Sequence, residues 1–92
     1  MAIVTLHYWA AAKEAAGVAE EKVEAPTLAA ALAAGVLAVS ERAEPERADR
    51  LSLVLARCSF LVNDEPAGTR PAESVTLPDD AVIEVLPPFA GG

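Results

Sequence analysis

The most reactive prospect in the chain is its carboxyl end, Pro87-Pro88-Phe89-Ala90-Gly91-Gly92. Two prolines end ladder pairing and favour a stiff, extended exit from a sheet. The two glycines have no side chains, so the end of the chain is thin and free in φ. If the sequence is complete, Gly92 carries an unhindered carboxylate that could thread into another protein's active site. A carboxylate is a poor electrophile and must be activated, for instance by ATP as an acyl adenylate. Sulfur, oxygen or nitrogen nucleophiles could then attack it. Neither GxxxxGK[ST] nor GxGxxG occurs in the chain, so activation is expected from a partner enzyme that uses ATP, with no cofactor bound here.

Other residues offer less. His7 has no cysteine or second histidine at ligand spacing, which favours a structural or solvent-facing role and no metal site. Cys58 is the only cysteine and can form neither an internal disulfide nor a CxxC site; an inert, partly buried thiol is expected. Asp79 and Asp80 follow Pro78 and read as turn formers rather than an acid–base pair. Ser52, preceded by Leu51, lacks the Asp-Ser-Leu context of a carrier-protein attachment serine. With no nucleophile–base pair visible, the chain is not expected to be catalytic alone.

The elements that must position the tail follow from pattern. Residues 3–9 are rich in strand formers, with Val4, Leu6 and Tyr8 on one face and Ile3, Thr5, His7 and Trp9 on the other. Residues 10–16 predict a short helix closed by Gly17. Residues 20–25 alternate as a second, edge-like strand. Thr27 then offers an N-cap to a helix carrying Leu28, Leu32 and Leu37 to about Ala38. The charged run 40–50, with Pro45 inside it, reads as a solvated linker or short helix, a binding face being the alternative. Strands are expected at 58–62 and 81–86 and a short extended segment at 75–77, with turn chemistry at 63–66 and 78–80. In the last strand Ile83 and Val85 share one face, and Val82, Glu84 and Leu86 the other. The order gives an α+β fold: a mixed sheet with helices packed on one face.

Composition sets limits on all of this. The 92 residues suffice for one domain, expected over 1–86, with 87–92 as an extended tail. Much of the 53% hydrophobic fraction is alanine, and it is interrupted well before the roughly 20 residues that a bilayer span needs. Fourteen acids against seven bases give a net charge of −7, which disfavours nucleic acid and anionic membrane as partners and favours a basic docking face. The amino end shows no signal peptide, and with a single cysteine a cytoplasmic location is expected.

The ending 86–92 resembles the PPxxGG tail of the MoaD/ThiS family of ubiquitin-like sulfur carriers, and within it the small subunits of molybdopterin synthase. Residues 8–17, with an aromatic pair entering the helix and Lys13-Glu14 inside it, also resemble the family's first strand and helix. One departure is Asp79-Asp80-Ala81, where the family usually carries Asp-Gly-Asp. The resemblance implies a β-grasp fold with the first and last strands parallel and adjacent at the sheet centre. It further implies that an E1-like enzyme adenylates Gly92 and that a sulfur donor converts the adenylate to a thiocarboxylate. A MoaE-like large subunit, in a heterotetramer, would then receive the tail (Pro87, Pro88, Phe89, Ala90, Gly91 and Gly92) and pass the sulfur to cyclic pyranopterin monophosphate. Trp9 and Leu86 would lie beside the tail's root as a docking patch, with Pro66 nearby. Alternatives are a sulfur carrier of thiazole or cysteine biosynthesis, or a ubiquitin-like modifier joined through Gly92 to lysines.

Overall fold

The alternation of β1 (Ala2–Tyr8) turns Ala2, Val4, Leu6 and Tyr8 into the protein and leaves Ile3, Thr5 and His7 on the opposite face. The computed structural model describes residues 2–88. It continues through α1 (Ala10–Ala16), β2 (Glu20–Ala25), α2 (Leu28–Arg42), α3 (Pro45–Leu55), β3 (Ser59–Val62), β4 (Glu65–Pro66) and β5 (Val82–Leu86). The five strands pair in the order β2-β1-β5-β3-β4. Central β1 and β5 run parallel, and the remaining neighbours are antiparallel. This is the mixed β-grasp sheet that the resemblance implied, with the helices on one face.

The core is thin and built on small side chains. Ala12, Ala15 and Ala16 of α1, Ala31 of α2 and Ala48 of α3 are all buried, so the helices lie close to the sheet and to one another. Gly35 marks the closest approach. A Cβ there would come within 2.5 Å of Tyr8 Oη and 2.7 Å of Leu6 Cδ1, so only glycine lets α2 cross β1 at this depth. Thr27 caps α2 as expected, its Oγ1 accepting from Ala30 N at 3.2 Å.

The helical segments differ from the sequence reading in one region. Helix α2 runs to Arg42 rather than Ala38, and the charged run continues into α3 with Pro45 in its first turn. The charges carry a structural task. Arg42 Nη2 donates to Ala16 O at 3.0 Å and Arg47 Nη1 to Glu14 O at 2.8 Å, satisfying carbonyls at the end of α1. Arg42 also pairs with Glu21, and Tyr8 Oη donates to Glu21 Oε1 at 3.4 Å. Burial pushes the Tyr8 hydroxyl well above its ordinary pKa of 10, and the Glu21 carboxylate adds to the shift, with Arg42 opposing it.

Two further differences are local. Residues 75–77 form no strand: Val75 and Leu77 are buried, and only Thr76 makes an isolated bridge, to Thr27. Strand β3 begins at Ser59, one residue after Cys58. The turn where the family usually carries glycine is closed by Asp80 at φ 62, and its N–H donates to Ile3 O at 2.9 Å. Aspartate tolerates the left-handed region better than most residues. Asn63 (φ 50) and Asp64 (φ 69) form the tight turn between β3 and β4.

Candidate functional site

The parallel pairing of β1 and β5 builds the site. Thr5 stands beside Val82, His7 beside Glu84 and Tyr8 beside Val85, and Trp9 N donates to Val85 O at 3.3 Å. The two strands therefore end together, which brings Trp9 and Leu86 to the same end of the sheet where Pro87 and Pro88 leave it. Pairing of Ser59 with Leu86, Leu61 with Glu84 and Pro66 with Leu61 puts Ser59, Leu61 and Pro66 on the same face. The helices cover the other face, so this surface is open: Trp9 is 46% exposed and Ile3 53%.

The chain reaches this arrangement through a strained junction. Ala10, the first residue of α1, has φ 48, a conformation that costs an L-alanine about 1–2 kcal/mol. The left-handed step turns the backbone from β1 into α1 directly after Trp9. Trp9 O accepts from Ala12 N at 2.9 Å, which anchors the first helical turn.

At the middle of the open face three side chains meet. Trp9 Nε1 donates to Glu84 Oε1 at 2.6 Å, and His7 Nδ1 lies 2.9 Å from the same oxygen. The imidazole and indole centroids are 4.4 Å apart, with their planes tilted by 39°. His7 is thus part of a cluster rather than a lone strand residue. Glu84 was missed as a functional candidate because its partners depend on strand register, which no local pattern reveals. The available signal was that His7 and Trp9 on one strand, and Glu84 and Leu86 on the other, alternate onto the same face.

The other expected contact residues divide. Pro66 and Pro88 are exposed, Leu86 is half-buried, and Pro87 is buried, so the ring of Pro87 does not offer a free surface. Phe89, Ala90, Gly91 and Gly92 lie outside the described residues. Cys58 is half-buried at the end of α3, its Sγ donating to Val54 O at 3.3 Å, and burial pushes its thiol pKa up to about 11. It lies away from the open face, on the opposite end of β3 from Asn63. Among the described residues no group of three His, Cys, Asp or Glu could hold a metal ion, and no helix is long and apolar enough to cross a membrane.

Comparison with known proteins gives the arrangement a family. Residues 6–92 match the ThiS family. Curated protein sequences give no match. Among solved structures, the crystal structure of SAMP1 from Haloferax volcanii superposes with a TM-score of 0.72 at 21% identity, over 98% of this chain and 99% of that one. The small archaeal modifier protein 1 from Methanosarcina acetivorans gives 0.71 at 21% identity, over 100% and 98%. A chain of the complex of subunits 1 and 2 of the molybdopterin-converting factor from Helicobacter pylori gives 0.59 at 23% identity, over 98% and 99%. These likenesses show the fold, and the family match extends from the middle of β1 to Gly92. The chain belongs to the ThiS family and carries its fold in the mixed β-grasp sheet described above.

Proposed function

We propose that the protein is the sulfur-carrying small subunit of a molybdopterin synthase. The observation that carries this reading is the family match through Gly92, joined to an open sheet face that ends at the root of a Pro-Pro-Phe-Ala-Gly-Gly tail. The likeness to a chain of the Helicobacter pylori complex supports a large-subunit partner. In this reading the Gly92 carboxylate attacks the α-phosphate of ATP in an E1-like enzyme, giving an acyl adenylate and releasing pyrophosphate. A sulfur donor displaces AMP and leaves a thiocarboxylate. That sulfur is ionised at neutral pH, so it attacks cyclic pyranopterin monophosphate without a local base. Hydrolysis of the acyl group returns Gly92 to its carboxylate, and a second delivery completes the dithiolene.

A second reading has its own support. The likeness to SAMP1 from two archaea favours a ubiquitin-like modifier, in which the same adenylate meets a lysine amine instead of a sulfur donor. Intact mass after incubation with ATP, an E1-like enzyme and a sulfur donor separates the two. A gain equal to sulfur replacing oxygen, absent from a variant lacking Gly92, is the expected result. Transfer of that sulfur to the pterin precursor on adding a MoaE-like subunit then identifies the pathway. Conjugates on lysines without the sulfur gain would overturn the carrier reading.

A further inference from the structure

We propose that Glu84 is a positioning residue that fixes the Trp9 indole as a preset docking anchor on the open face, with His7 packed behind it. The inference deepens the reading above, since it concerns how the same face engages the activating enzyme.

The geometry carries it. One carboxylate oxygen, Glu84 Oε1, receives the indole N–H at 2.6 Å and has His7 Nδ1 at 2.9 Å. An N–H bonded to an ionised carboxylate at this distance is charge-assisted and stronger than a neutral bond. The imidazole stands 4.4 Å from the indole, so one side of the Trp9 ring system is held while nearly half of the residue faces solvent. Such a cluster adds little to folding, because it lies on the surface and leaves the core untouched. It does restrict the largest side chain of the open face to one orientation. Tryptophan is enriched among interface residues that dominate binding, and immobilising such a side chain before contact removes an entropic cost of association.

The surroundings identify what is selected. The apolar neighbours on this face are Leu86 towards the tail, Leu61 and Pro66 in register with Glu84, and Ile3 and Val82 towards the other end. Glu84 is the acidic group in the middle, with Glu20 opposite His7 and Lys22 opposite Thr5 on β2. Glu84 Oε2 accepts no hydrogen bond among the described residues, while Oε1 is occupied. The face therefore suits an apolar protein surface with a basic donor at its centre, for which Trp9 is the anchor and Glu84 both its holder and a free acceptor.

Trp9 is the only tryptophan, so its indole proton is a single, assignable NMR resonance. In the wild-type protein this resonance is expected downfield and slow to exchange. In Glu84→Gln it should move upfield and exchange faster, with the rest of the amide spectrum unchanged. In steady-state adenylation by the E1-like enzyme, Glu84→Gln should raise KM for the carrier roughly three- to tenfold with kcat unchanged. A second variant, Glu84→Ala, should add faster depolarisation of Trp9 fluorescence. A wild-type indole proton with the shift and exchange of free tryptophan overturns the proposal, as does a Glu84→Gln protein with wild-type KM. If the wild-type protein is not adenylated at all, the sulfur-carrier reading fails instead. The indole resonance then still decides whether Glu84 holds Trp9.

Discussion

Trp9 and Cys58 show how differently two residues of equal sequence rarity are used. Trp9 sits on an open face and is held by a neighbour's carboxylate; Cys58 is withdrawn behind Val54 with its thiol pKa raised to about 11. Because burial favours the neutral thiol, its contribution to stability is fully present below the ordinary value of 9.0 and is lost as pH rises through about 11. Alkylation of the folded protein by iodoacetamide should accordingly be slow at pH 8 and reach half its maximal rate at about pH 11, whereas the urea-unfolded chain should be half-maximal near pH 9.0. Equal profiles for the two states would refute the burial argument. Ala10 offers a second test at this scale. Its φ of 48 suits glycine, so Ala10→Gly should raise stability by about 0.5–1 kcal/mol in urea melts, net of the added freedom of the unfolded chain, and a loss of stability would show the junction to be unstrained.

Among the elements, α2 is the one whose sequence looks least suited to its place, since glycine interrupts a run of helix formers. An alanine at position 35 would gain about 1 kcal/mol of helix propensity, but its Cβ would stand 2.5 Å from the buried Tyr8 hydroxyl. Overpacking of that kind costs about 1–3 kcal/mol. Gly35→Ala should therefore lower the thermal midpoint by a few degrees; an increase would mean that α2 can slide away from β1. Arg42 tests the joint between helices. Arg42→Met removes the donor to the Ala16 carbonyl and takes from Glu21 its ion-pair partner, so a loss of about 1–3 kcal/mol in denaturant titration is expected. The helix start at Thr27, the Gly17 stop and the faces of β1 and β5 were legible because caps and alternation act locally. The run 40–50 was legible as far as a short helix, but the ordering of its arginines by carbonyls of α1 distant in sequence was not. The short extended segment at 75–77 was legible as such; its place was not, since it lies against Pro26 and Leu28 with a single bridge from Thr76 to Thr27 and with Leu77 N donating to Pro26 O at 3.0 Å.

At the scale of the molecule, helices cover one face and leave the other open, while 14 acids against 7 bases supply a long-range field. An association guided by that field slows as salt rises, because the Debye length shortens to about 3 Å at 1 M. The rate of association with the activating enzyme should fall steeply between low and moderate ionic strength, and a salt-independent rate would exclude steering. Trp9→Ala should leave the melting temperature nearly unchanged and weaken that association by at least roughly tenfold, as for an exposed anchor residue. The apolar and acidic character of the open face was legible from alternation; its cluster was not, since His7 and Glu84 are 77 residues apart and meet only through the register of β1 and β5.

That register also ties the face to the order of synthesis. Of the five strands β5 is made last, yet its place is at the centre, between β1 and β3. Until it arrives, β1 has one unpaired edge, Trp9 lacks its carboxylate, and β3 has nothing to join it to the rest of the sheet. Any enzyme that recognises the Trp9–Glu84 surface therefore engages only chains already translated as far as the strand from which the tail emerges, and nascent or truncated chains are passed over without a separate inspection step.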